Sequence, residues 1–318
     1  MIWEKIGKVF NPLEHALPNK CVSYAQAPQA FEFEDHYRIY FSAREKDTST
    51  TYISHVCYAE ITKDFRSVKT LSSEPVLKRG ETGTYDEHGV FPLHVFHHNS
   101  RILGYISGWY RRQSVPADSA IGLAESFDGG QTFSRLGPGP IIGPNLHEPF
   151  LIADPFVLCA NNTFHMWYVF GKKWITGNQT PERLYTIGHA TSPDGVTWAR
   201  DGRQTLSNVF EEEEEECQAF PTVCYINGMY HMYFCFRHAT DFRTNPDRSY
   251  RLGYAYSEDL MTWIRNDALG GLDVSENGWD SDMICYPNFF QSQDGLFLLY
   301  NGNQFGREGF GAARLISC

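Results

Sequence analysis

No apolar run in this 318-residue chain reaches the ~20 residues that a membrane helix needs, so no membrane span is expected. Clustered basic charge is also missing. Lys and Arg number 27 against 38 Asp and Glu, for a formal charge of −11. Neutralising a phosphate backbone needs grouped Lys and Arg, so nucleic acid is not the expected partner. The opening MIWEKIGKVF lacks the apolar core of a signal peptide. The eight cysteines (Cys21, Cys57, Cys159, Cys217, Cys224, Cys235, Cys285, Cys318) show none of the short paired spacings of a zinc site. Most lie in apolar strand contexts and read as buried thiols, which places the protein in a reducing cytoplasm.

What is present is a repeat. A proline in a short apolar run recurs at Pro28, Pro92, Pro155, Pro221 and Pro287, in steps of 64, 63, 66 and 66 residues. A second apolar segment follows each copy: IYFSAR (Ile39–Arg44), GYISGW (Gly104–Trp109), MWYVFG (Met166–Gly171), MYFCFR (Met232–Arg237) and LLYNGN (Leu298–Asn303). A third has the core Gly-x-Ala at Gly122–Ala124, Gly188–Ala190, Gly253–Ala255 and Gly311–Ala313, with Cys57–Ala59 in the first copy. Asp64, Asp128, Asp194 and Asp259 mark polar turns, and Phe133, Trp198 and Trp263 follow three of them. The fifth unit stops after its third strand, and Trp3–Gly7 matches the missing fourth. Such regular strands and turns mean radial stacking. The expected fold is all-β: a five-bladed β-propeller of four-stranded antiparallel blades, the last closed by the N-terminal strand. Length alone suggests two domains, but five equal units favour one domain over residues 1–318. Its 42% hydrophobic and 15% aromatic residues can fill the core of such sheets.

In a propeller the first strand of every blade lines the central channel, so residues near the recurring prolines converge at one mouth. Four carboxylates stand there as catalytic candidates: Glu87, Asp154, Glu216 and Asp282. Crowded or buried carboxylates raise one another's pKa, and a protonated–ionised pair is what glycosidic cleavage uses. Candidate ligand-binding residues are Gln26, Arg44, Asp86, His88, Trp109, Arg111, Lys172, Trp174, Arg237, His238 and Asn303. The loops Asn178–Glu182 and His238–Ser249 are expected to rim the mouth. The positive charges at second-strand ends, joined by Arg307, suggest an anionic group on the ligand such as phosphate or carboxylate.

Each sharp reading has a plain competitor. Glu216 ends a six-Glu run beginning at Glu211, and such runs are usually solvated loops. Strand alternation lets only one of Asp86 and Glu87 face the channel. His88 also fits as a satisfied structural histidine, and Asp282 as a backbone partner at a blade junction. Asp128, Asp194 and Asp259 recur in successive turns and read as structural, because chemistry needs one site rather than copies.

With these residues in hand, the chain resembles the five-bladed propeller glycosidases: arabinanases and β-xylosidases, invertases and levansucrases, and β-mannoside phosphorylases. Ala153-Asp154-Pro155-Phe156 is similar to the third-blade Asp-Pro of the first two groups, which implies a transition-state role for Asp154. Glu216-Cys217 resembles the invertase Glu-Cys, which implies an acid/base role for Glu216. The first blade departs from these families: where they carry an Asp nucleophile or base, this chain has Ala27-Pro28. The phrases DEHGVFP and DMICYPNFF also resemble intracellular propellers linked to sugar-conjugate biosynthesis.

Three functions follow as expectations. One is a glycoside hydrolase with a carboxylate acid/base pair in the funnel. A second is a phosphorylase or glycosyltransferase acting on a phosphorylated or nucleotide-linked sugar, which the absent first-blade Asp favours. The third is a sugar-binding propeller without chemistry. The partner is a small sugar or sugar phosphate. No cofactor is expected beyond an ion or phosphate in the channel, and no residues have metal-ligand spacing.

Overall fold

The structure is a computed structural model that describes residues 1–48, 51–176, 180–211 and 214–318. Asn178 and Gln179 of the expected rim loop, and Glu212 and Glu213 of the acidic run, lie outside the described residues. The chain forms five antiparallel four-stranded sheets arranged as a β-propeller. Strand β1 (Ile2–Phe10) is the outermost strand of the fifth sheet. Blade one holds β2 (Cys21–Glu32), β3 (His36–Lys46), β4 (Tyr52–Thr62) and β5 (Val68–Leu71). Blade two holds β6 (Val90–His98), β7 (Arg101–Tyr110), β8 (Asp118–Ser126) and β9 (Ser134–Arg135). Blade three holds β10 (Ile152–Ala160), β11 (Thr163–Ile175), β12 (Glu182–Ser192) and β13 (Ala199–Arg200). Blade four holds β14 (Glu216–Ile226), β15 (Met229–His238), β16 (Arg251–Ser257) and β17 (Ile264–Arg265). Blade five holds β18 (Cys285–Ser292), β19 (Gly295–Asn301) and β20 (Phe310–Ser317), with β1 paired antiparallel to β20. The inner strands β2, β6, β10, β14 and β18 neighbour one another around the channel.

The blades are joined by the aromatic that follows each outer turn. Its ring docks edge-on against the second strand of the preceding blade. Phe133 meets Tyr40 at 5.9 Å, Trp198 meets Tyr105 at 6.1 Å, and Trp263 meets Trp167 at 5.6 Å. Trp3 of β1 meets Tyr233 at 5.7 Å, and Phe65 meets Phe297 at 5.1 Å, which closes the ring between blades five and one. Edge-to-face pairs of this kind contribute about 0.5–1.5 kcal/mol each beyond the area they bury. The turn aspartates hold the corners. Asp194 Oδ1 accepts the backbone N–H groups of Val196 and Thr197, and Asp259 Oδ1 those of Met261 and Thr262. Those bonds hold both carboxyls below the usual range.

The recurring proline explains how side chains reach the channel. Proline cannot donate to a ladder, so within sheets it sits at edges and bulges. Each inner strand breaks register across its proline: Gln26/Gln29, Val90/Leu93, Ala153/Phe156, Ala219/Thr222 and Cys285/Asn288. In four blades the preceding residue takes a left-handed conformation, with φ of 53° at Ala27, 51° at Asp154, 52° at Phe220 and 55° at Tyr286. In blade two the Phe91–Pro92 bond is cis instead. A bulge of this kind re-aims a side chain out of the pleat. Phe91, Asp154, Phe220 and Tyr286 accordingly line the cavity at the channel mouth. Among the described residues no helix is long and apolar enough to cross a membrane.

Candidate functional site

The cavity at the mouth has a volume of about 430 Å³. Three kinds of strand end supply its wall: the bulges of the inner strands, the ends of second strands and the starts of third strands. Of the residues singled out from sequence, Asp154, Gln26, Arg44, Trp109 and Arg237 meet there. Asp154 is the one carboxylate among the five residues that precede the prolines, the others being Ala27, Phe91, Phe220 and Tyr286. Its backbone N–H donates to Ser107 Oγ at 2.8 Å, which pins the bulge. Burial pushes its carboxyl up to about 8, against the opposing pull of Arg183 and the Phe220 N–H. At neutral pH Asp154 therefore holds a proton.

Facing it is an excess of positive charge. Among the described residues, Arg44, Arg183, Arg237 and Arg243 all line the cavity, against two carboxylates, Asp154 and Asp118. Arg44 Nε donates to Gln26 Oε1 at 2.9 Å, and its Nη1 donates to Ser54 Oγ. Trp109 Nε1 donates to the same hydroxyl at 2.9 Å, which ties the indole to the arginine. Arg237 is only 2% exposed. It stacks 3.5 Å from the Phe242 ring centroid and donates to Tyr185 Oη at 2.9 Å. Among the described residues, Arg44, Arg183 and Arg237 have no carboxylate within 4.0 Å. Aromatic rings fill the rest of the wall, including Tyr24, Tyr52, Phe242, Tyr250 and Phe305. Rings beside hydrogen-bonding groups are the usual means of gripping a sugar or other small molecule.

The other sequence candidates lie elsewhere. Glu216 is buried outside the cavity wall; its Oε1 accepts from Arg265 Nη1 at 2.5 Å and from Gln218 Nε2 at 2.8 Å. This pair is one copy of a recurring device in which an acid ahead of or starting the inner strand meets a base on the outer strand. Arg135 Nε donates to Asp86 Oδ2 at 2.6 Å, Arg200 pairs with Glu148, and Lys5 Nζ donates to Asp280 Oδ2 at 2.8 Å. Four copies in four blades, each with a buried acid, tie the start of the inner strand to the outer strand of the same blade, so Asp86 and Glu216 take part in a repeated structural contact. Glu87 is half-buried and accepts the Gly83 N–H at 3.0 Å. His88 lies 5.5 Å from the Trp109 ring and accepts the Arg111 N–H at 3.4 Å. Arg111 is held by Asp47 at 2.7 Å and by the Tyr52 carbonyl at 2.9 Å. Asp282 is exposed, and its N–H donates to Asn303 Oδ1 at 2.8 Å. Lys172 is exposed and 3.4 Å from Gln204 Oε1, Trp174 packs on the core, and His238 stacks on Phe210 at 3.8 Å.

The residues that the sequence reading did not single out, Asp118, Arg183, Arg243, Tyr185 and Tyr250, mostly lie where third strands begin. A signal existed. Ser54, Ser119, Tyr185 and Tyr250 occupy equivalent places three residues before the Gly-x-Ala core or its Cys57 counterpart, 65, 66 and 65 apart. Antiparallel strands alternate direction, so a third strand starts at the end where a second one stops. Asp118 Oδ2 lies 3.3 Å from Arg112 Nε and accepts from Tyr110 Oη at 3.4 Å. No group of three or more metal-binding side chains occurs among the described residues.

Comparison with known proteins agrees with this architecture. No protein-family model matches the chain. The uncharacterized proteins MT1551 and Rv1502, from two strains of Mycobacterium tuberculosis, are each 32% identical over 315 residues, covering 99% of this chain and 99% of theirs. A 1,2-beta-oligomannan phosphorylase of Thermoanaerobacter sp. is 26% identical over 243 residues, 74% of this chain and 71% of its own. Among solved structures, a beta-1,2-mannobiose phosphorylase from Listeria innocua superposes with a TM-score of 0.69 at 14% identity, over 99% of this chain and 96% of that one. A thermostable family-43 glycoside hydrolase gives 0.66 at 18% identity, over 94% and 91%. The fold is thus that of the glycosidase-like propellers.

Proposed function

The chain belongs to the family of the Mycobacterium tuberculosis proteins MT1551 and Rv1502, and from that premise we propose that it is a carbohydrate-active enzyme that breaks or forms a glycosidic bond with phosphate as the second substrate. The observation that carries this reading is the presence, in one cavity, of a protonated carboxyl, Asp154, and of three arginines, Arg44, Arg183 and Arg237, that meet no carboxylate among the described residues. In the cleavage direction a phosphate oxygen held by Arg44 and Arg183 attacks the anomeric carbon. The bond from that carbon to the bridging oxygen breaks. Asp154 gives its proton to the departing oxygen, leaving a sugar 1-phosphate and a shortened saccharide. Phosphate supplies the nucleophile, so no second enzymic carboxylate is required, which suits a first blade carrying Ala27. Trp109 and the neighbouring rings stack on the sugar faces.

The substrate class suggested by the 26%-identical relative, a 1,2-β-oligomannan phosphorylase, is a β-mannoside. The test is to incubate the protein with β-1,2-mannobiose and related mannosides, with and without phosphate, and to assay mannose 1-phosphate. Turnover that needs phosphate supports the reading; release of free sugar alone, indifferent to phosphate, overturns it. That second result would favour hydrolysis, for which Asp118 supplies another carboxylate on the cavity wall.

A further inference from the structure

We propose that Tyr185 and Tyr250 form a donor pair that presents one phenolic hydrogen to a phosphoryl oxygen of the ligand, with Arg237 behind them as a positioning residue. This deepens the phosphate-dependent reading and rests on it. Tyr185 Oη and Tyr250 Oη lie 2.6 Å apart, and both rings line the cavity. Two hydroxyls carry two hydrogens, and the bond between them uses one. Arg237 Nη2 donates to Tyr185 Oη at 2.9 Å, and a guanidinium can only donate. Whichever phenol donates to the other, one O–H is left over. Among the described residues neither hydroxyl has a further partner to receive it. The rings are 6% and 4% exposed, so the free hydrogen is directed within a shielded wall rather than lost to bulk water.

Arg237 gives that hydrogen its purpose. A fully buried guanidinium without a counter-ion is costly, and among the described residues Arg237 has neither a counter-ion nor a hydrogen-bond partner for its Nε. Its Nη1 donates to the carbonyls of His238 and Ala239 at 2.7 and 3.2 Å, which fixes the side chain. The positive charge is therefore fixed beneath the phenols and polarises their hydroxyls toward whatever they meet. Polarised chains of donors strengthen the terminal bond, and the partner that benefits most is an anionic oxygen. Burial holds the Tyr185 phenol up at about 12, so the pair stays a donor at neutral pH and does not act as a base.

The experiment is calorimetric titration of parent, Tyr185→Phe and Tyr250→Phe proteins with inorganic phosphate and, separately, with mannose 1-phosphate. Each phenylalanine variant keeps its ring and is expected to fold with a thermal midpoint near the parent's. The variant that removes the ligand-facing hydroxyl should bind about ten- to a hundred-fold more weakly, the loss expected for one hydrogen bond to a charged group, and the variant that removes its polarising partner should lose less but still bind below the parent. Loss confined to inorganic phosphate assigns the donor to the attacking group; loss confined to mannose 1-phosphate assigns it to the bound sugar phosphate. Phosphate binding should also perturb tyrosine absorbance in the parent, and Arg237→Lys should weaken binding in the parent but not in the double phenylalanine variant. Phenylalanine variants that bind as tightly as a phosphate-dependent parent overturn the donor pair and leave the function standing. A parent that binds neither probe overturns both.

Discussion

Asp154 is a residue whose proton is set by its surroundings. It takes up a proton on folding, since burial raises its carboxyl from 3.8 to about 8. The native state therefore binds more protons than the unfolded chain between those values, and stability falls as pH rises across them. The contribution is complete below 3.8 and is lost as pH climbs through about 8. Asp154→Asn stays neutral throughout, so its thermal midpoint should gain on the parent's between pH 5 and pH 9, as differential scanning fluorimetry would show. Turnover should follow the same proton. Activity is expected to decline through about pH 8, and the Asn variant to lose roughly 10²–10⁴-fold, the span of general acid catalysis. A variant whose pH profile matches the parent's would remove Asp154 from the chemistry.

Among the elements, the repeated acid–base pair separates structure from function. Among the described residues, Glu216→Gln leaves the buried Arg265 with only Asp267 as an ionic partner, at 2.8 Å. The expected cost is about 3 kcal/mol, read as a lower urea midpoint at unchanged slope, with turnover per folded molecule retained. A Glu216→Gln protein that is stable but inactive would restore that residue as the acid. The strands themselves were legible in the sequence because proline, Gly-x-Ala and the turn aspartates recur at fixed steps. Asp154 was legible too, as a charge in an otherwise apolar inner strand. Glu216 misdirects a reader because an acid beside a channel strand looks the same whether it faces the funnel or a base on the outer strand. Only the position of Arg265 distinguishes the two, and that depends on the register of the first and fourth strands within blade four, which no local pattern encodes. Tyr185 and Tyr250 were hidden for a different reason. Aromatics at strand starts usually belong to the core, and the 2.6 Å contact between them joins residues of two blades.

At the scale of the whole molecule, five blades are held by five aromatic junctions, and each blade leans on the next. We propose that residues 1–318 unfold as one unit: calorimetry should give a single transition. Trp3→Ala removes the β1 contacts to Tyr233 and Phe289 and the bond from Trp3 Nε1 to Gly270 O at 3.0 Å. It should lower the whole transition, by about 3–5 kcal/mol, without splitting it; two separate peaks would mean that the blades melt independently. The bulge before each proline has a consequence for how such a ring changes over time. The displaced residue takes no part in the regular ladder around it, so its side chain can be exchanged at little expense to the sheet. Four such places already open onto the mouth, and three of them hold only rings. The scaffold thus separates the inheritance of shape from the inheritance of reactivity, and a new chemistry could arrive by altering one or two codons while every blade stays as it is.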